Sequence, residues 1–170
     1  VTIVLLNRLP SYNIQTTGKL YIVNKVSRDI QVFDLYTGEE IAEIPIGIQS
    51  HEAITTDDKN SVLVTNYGAA DSKGNMVKLI DTETHEVQKT INVKGGLNAN
   101  GIINLPEANK VLLVDYLSNN LSVLNLKTNS VDAKIPTNQK NSHLVALHPI
   151  KPMAYVTNMK SNSVSVIDLS

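Results

Sequence analysis

Cysteine is absent from this chain of 170 residues, and so is tryptophan. Without a thiol there is no disulfide, no thiolate zinc site and no cysteine nucleophile. Aromatic residues amount to only 4%, with a single Phe, so any core has to be built from aliphatic side chains. Charge of one sign is also missing. A formal net charge of −1 lacks the surplus that nucleic acid or an anionic membrane surface attracts, and no nucleic-acid partner is expected. No apolar run approaches the roughly 20 residues of a membrane-spanning helix, so no membrane span is expected. The run VTIVLL at the start is short, and it has neither the basic flank nor the small-residue cleavage site of a signal peptide. The chain begins without Met and stops just after a strand-like run, as a processed product or a piece of something longer would.

What is present is repetition. LYIVN, VLVTN, VLLVD and AYVTN end at Asn24, Asn66, Asp115 and Asn158, and their anchors Tyr21, Leu63, Leu112 and Tyr155 lie 42, 49 and 43 residues apart. Each run is apolar on both faces, which suits a strand covered on both sides. Each closes on a residue that starts turns by bonding its own backbone. IQVFD, VKLID, LSVLN and VSVID follow, partly alternating and ending at Asp34, Asp81, Asn125 and Asp168. IAEIPI, VQKTINV and VDAKIP come next. They are polar and alternating, and Pro45 and Pro136 near their ends suit a sheet edge. Short segments SHEAIT, ANGIIN and SHLVAL then lead back to the next anchor as innermost strands. The longer middle gap comes from a polar insert, GAADSKGN, after Tyr67.

Four short antiparallel strands in each repeat of about 40–45 residues are the mark of a β-propeller blade, and stacking the blades covers faces that no blade covers alone. The expected fold is therefore all-β, a single propeller domain or propeller fragment over residues 1–170, with about four blades. The fourth copy stops after its third strand, and VTIVLL falls where an outermost strand belongs. One expectation is that this N-terminal run completes the last blade of a four-bladed ring. The other is that the chain is half of a seven- or eight-bladed ring, completed by further sequence or by self-association. An open arc leaves two apolar faces in water, which favours the larger ring.

AYVTNMKSNSVSVID and SVLVTNYG resemble the YVTN family of β-propeller repeats over about residues 18–169. The resemblance implies an exported setting: extracellular, periplasmic or cell-surface. It also implies relatives that include lactonase-like enzymes and domains of periplasmic redox proteins. The third copy departs from the motif, with VLLVDY in place of YVTN and Asn100 where its neighbours have His.

Chemistry, if any, is expected at the channel mouth. Twelve residues before Leu63, Leu112 and Tyr155 stand His51, Asn100 and His143, with Glu52 beside the first. Imidazoles bind metals or relay protons, but a histidine recurring at one repeat position also serves to hold a loop. His85 and His148 are expected in turns. The insert at 68–75 is expected to be an exposed partner-contacting loop, because loops carry function more often than scaffold does. No P-loop, no nucleophile elbow and no calcium loop is present, so no cofactor and no resident metal is expected. The reading is a binding or scaffold module for a protein, glycan or small-molecule ligand. Its rivals are a lactonase- or lyase-like enzyme using the mouth histidines, and an accessory domain of a redox system.

Overall fold

The structure, a computed structural model, describes residues 16–47, 49–69, 72–93, 98–106 and 109–170. The N-terminal run VTIVLL lies outside them. Sixteen strands are present, and among the described residues there is no helix, hence none long and apolar enough to cross a membrane.

The strands form four blades, each wound from the channel outward. Blade 1 is β1 (Lys19–Asn24), β2 (Asp29–Asp34) and β3 (Glu40–Pro45). Blade 2 is β4 (Ser50–Thr55) and β5 (Ser61–Asn66), then β8 (Met76–Asp81) and β9 (Val87–Asn92). Between β5 and β8 the insert folds as a two-stranded ribbon, β6 (Gly68–Ala69) against β7 (Ser72–Lys73). Blade 3 is β10 (Ala99–Leu105), β11 (Lys110–Asp115), β12 (Asn120–Asn125) and β13 (Ser130–Pro136). Blade 4 is β14 (Ser142–Leu147), β15 (Met153–Asn158) and β16 (Ser163–Asp168). All neighbouring strands are antiparallel. The segments SHEAIT, ANGIIN and SHLVAL are the innermost strands, and the proline-bearing β3 and β13 lie at sheet edges, as the sequence predicts.

Turn chemistry fixes each register. The Asp34 carboxylate accepts the amides of Tyr36 and Thr37, and Asp81 those of Glu83 and Thr84. The Asn125 side chain does the same for Lys127 and Thr128. These are turns in which a side chain replaces a backbone acceptor. Four residues beyond each turn-starter the backbone enters the left-handed region, at Gly38, His85 and Asn129. His85 is thus a turn residue, at the end of its blade away from the innermost-strand histidines. His148 is another, its Nδ1 accepting the amides of Ile150 and Lys151.

Three aliphatic layers hold the blades together. Ile30, Val32 and Ile44 of blade 1 pack on Val62, Val64 and Ile80 of blade 2. Leu63, Val77 and Ile91 pack on Val111, Leu113 and Leu124. Leu112, Val114 and Leu121 pack on Ala154, Val156 and Ile167. Alternate residues of β5 and β11 serve opposite layers, so both strands are buried on both faces, as their continuous apolar runs require. The outer faces of blades 1 and 4 differ: Leu20 and Ile22 are 44% and 38% exposed, Val164 and Val166 55% and 58%. Among the described residues LYIVN and AYVTN thus have one covered face, not the two their apolar runs suggest. They close the ends of the arc, and the run carries no mark of whether a neighbour follows.

Candidate functional site at the channel mouth

The innermost strands of blades 2, 3 and 4, β4, β10 and β14, each contain a β-bulge at the same repeat position. On β4 the pairing passes from Ser50↔Asn66 to Ala53↔Val64, leaving His51 and Glu52 opposite Thr65 alone. On β10 it leaves Asn100 and Gly101 opposite Val114, and on β14 His143 and Leu144 opposite Thr157. A bulge breaks the alternation of a strand and re-aims a side chain. The Thr of the VTN triplet stabilises it: Glu52 N donates to Thr65 Oγ1 at 3.1 Å, and Leu144 N to Thr157 Oγ1 at 3.0 Å.

The bulges bring His51 and His143 together from blades 2 and 4, their ring centroids 5.6 Å apart and edge-on. Asn100, on the intervening blade, is 2% exposed, and its Oδ1 has no partner among the described residues. His51 Nδ1 is likewise buried without a hydrogen bond. Glu52 is near but not engaged, its Oε1 lying 3.8 Å from His51 Nδ1, beyond hydrogen-bond range. Burial raises the Glu52 carboxyl above its usual range, partly offset by the Ile102 amide of the next blade. Burial also lowers the His51 imidazole, and the ammonium of Lys25 and the ring of His143 lower it further.

Three further residues complete the mouth, and reasoning from the sequence passed over them. Tyr67 lies 5.8 Å from His51 and 5.8 Å from Tyr116, centroid to centroid. The Lys25 Nζ sits over the Tyr67 ring at 5.3 Å. Lys25, Tyr67 and Tyr116 each directly follow the turn-starting Asn or Asp of their blade, a repeat position as regular as that of the histidines. The backbone secures it: Tyr67 N donates to Gln49 O and Tyr116 N to Asn98 O, the residues just before β4 and β10. The signal was available in the repeat alignment, but it is visible only once each turn is known to end at the mouth. The β6–β7 ribbon starts right after Tyr67 and so rises at this same end.

This arrangement offers imidazole and phenol groups, the Lys25 amine, the Glu52 carboxyl and aromatic walls. Among the described residues no group of three or more His, Asp or Glu is placed to hold a metal ion. A cavity of about 690 Å³ lies elsewhere, between Asn92–Val93 and the outer strand β13.

No model of a known protein family matches the chain, and no curated protein does. Solved structures do. Hydrazine synthase from Kuenenia stuttgartiensis is similar at a TM-score of 0.68 and 17% identity, over 88% of this chain and 46% of that one. Dihydro-heme d1 dehydrogenase NirN, in complex with DHE, gives 0.68 and 16%, over 88% and 32%. The β-propeller domain of Myceliophteria thermophila Cps50 (Swd1) gives 0.66 and 13%, over 84% and 48%. The chain therefore spans less than half the length of each. At these identities the likeness shows the fold, a β-propeller that serves both enzymes and scaffolds.

Proposed function

We propose that residues 1–170 act as one propeller unit, a non-catalytic binding module that takes its ligand at the channel mouth. The ligand is a protein side chain or small molecule carrying an anionic group beside a flat face. One observation carries this: His51 and His143 meet within a cluster that adds Tyr67, Tyr116 and Lys25, all of them donors or aromatic surfaces. A few convergent polar groups beside aromatic surfaces are common features of ligand sites. A lactonase- or lyase-like role has less support, because neither imidazole has a hydrogen-bonded carboxylate to fix its tautomer among the described residues. An accessory role beside a redox partner rests on the resemblance alone. The resemblance to YVTN repeats supports an extracellular, periplasmic or cell-surface location, which fractionation of the source cells would test.

Benzoate is the minimal probe of the site, an anion on a flat ring. Titrating it into labelled protein is expected to shift the His51, His143 and Tyr67 resonances together. Tyr67→Ala and Lys25→Met are each expected to weaken that response several-fold. An absence of shifts at the mouth, or shifts indifferent to both substitutions, overturns the reading.

A further inference from the structure

The two outer faces of the arc carry complementary positions of the repeat. Every internal interface joins the same repeat positions. Tyr21 and Val23 of blade 1 meet Val62 and Val64 of blade 2. Leu63 of blade 2 meets Val111 and Leu113, and Leu112 and Val114 of blade 3 meet Ala154 and Val156. The next pair in this series is Tyr155 and Thr157, with Val164 and Val166 beside them in register. They form the open face of blade 4. The residues they call for are the equivalents of Val62 and Val64, which are Leu20 and Ile22 on the open face of blade 1. Leu20 and Ile22 line, with Phe33 and Leu35, an apolar groove of about 260 Å³.

We infer that a second copy of this chain covers both faces, blade 4 of each copy seated on blade 1 of the other, closing an eight-bladed ring. Two such interfaces related by a two-fold axis leave no blade face bare, whereas a contact that failed to close would grow into a filament. The occupant is specified by repetition: a blade-1 face is the complement that three internal layers already select for a blade-4 face. The inference goes beyond the binding reading and stands without it. A ring of two copies also sets two His51–His143 mouths on one channel.

Light scattering on the wild-type chain is expected to give twice its 18.6 kDa mass. Val166→Lys and Ile22→Glu change exposed side chains, so each variant is expected to fold, checked by circular dichroism, and to run at the single-chain mass. Mixed in equal amounts, the two are expected to recover the double mass, since the pair keeps one unaltered interface and sets Lys against Glu in the other. Recovery cannot arise from misfolded variants. A wild-type chain of single mass overturns the inference; if hydrogen exchange then shows β1 and β16 protected, the cover is the chain's own residues 1–15. A ladder of larger species overturns closure, and variants that fail to recombine overturn the assignment of faces.

Discussion

Thr65 and Thr157 show what single residues contribute. Each lends a hydroxyl to an amide that the bulge removes from its strand ladder, and each thereby fixes a histidine at the mouth. In the third copy Val114 stands at this position, and Gly101 follows Asn100 in the bulge. The departure from the motif thus changes how the bulge is built, and the bulge itself persists. His51 is where the site becomes measurable. Its imidazole lies below the free-histidine value of 6.5 because burial disfavours the cation, with Lys25 and His143 adding repulsion. By proton-detected titration His51 is expected to have the lower midpoint expected of such a site. Lys25→Met should move that midpoint upward without restoring 6.5, since burial is the larger cause. The unfolded chain takes up this proton first as pH falls through 6.5, so stability is retained above that pH and declines below it. His85 is lowered too, by burial and by Lys19 against the opposing Asp81, so His51→Gln is expected to flatten the decline in part. A His51 midpoint at or above 6.5, or one indifferent to Lys25→Met, contradicts the arrangement described.

The element of most consequence is the innermost strand, and its small residues have a steric cause. A Cβ on Gly101 would lie 2.8 Å from His143 O and 3.1 Å from Leu144 Cα, both backbone-side atoms of the neighbouring blade's β14. Contacts that short force the strands apart. Gly101→Ala is expected to cost about 1–3 kcal/mol, the usual penalty of overpacking. It should also lengthen the His51–His143 contact, seen as a loss of ring-current shift. Unchanged stability and unchanged shifts would mean that β10 and β14 do not approach this closely. At this scale most of the fold was legible in the sequence. The four strand types of each repeat, the edge prolines and the turn-starters Asp34, Asp81 and Asn125 follow from local chemistry, which every copy repeats. The pairing of His51 with His143 followed only as a possibility, because it depends on bulge geometry and on two blades that are not neighbours. Lys25, Tyr67 and Tyr116 were passed over because their types differ between copies while their place does not. The exposure of β1 and β16 was illegible for another reason: an apolar run records the capacity to be covered, and what covers it lies in another element.

Taken whole, the molecule is a row of four sheets in which each layer of contact is nearest-neighbour, so stability is distributed along the row. β5 and β11 are sandwiched between two layers, whereas among the described residues β1 and β16 each pack on one face and carry partly exposed apolar side chains on the other. Truncating a side chain in a shared layer leaves a cavity, and truncating one on an open face leaves only less apolar surface in water. Leu112→Ala, at 0% exposure, is therefore expected to cost about 2–5 kcal/mol, while Leu20→Ala costs well under about 1 kcal/mol in the isolated chain. Amide exchange should follow the same gradient, slowest in β5 and β11 and fastest toward both ends of the arc. Assembly changes the two ends and leaves the middle alone. In a closed ring of two copies Leu20 belongs to a shared layer, so Leu20→Ala gains a cost that depends on protein concentration. Dilution should then release protection in β1, β2, β15 and β16 together, with β5 and β11 unmoved. Denaturant unfolding of both variants, with exchange at high and low concentration, measures the two quantities on one sample. Equal costs for Leu112→Ala and Leu20→Ala at every dilution would mean that the ends of the arc are already covered within a single chain.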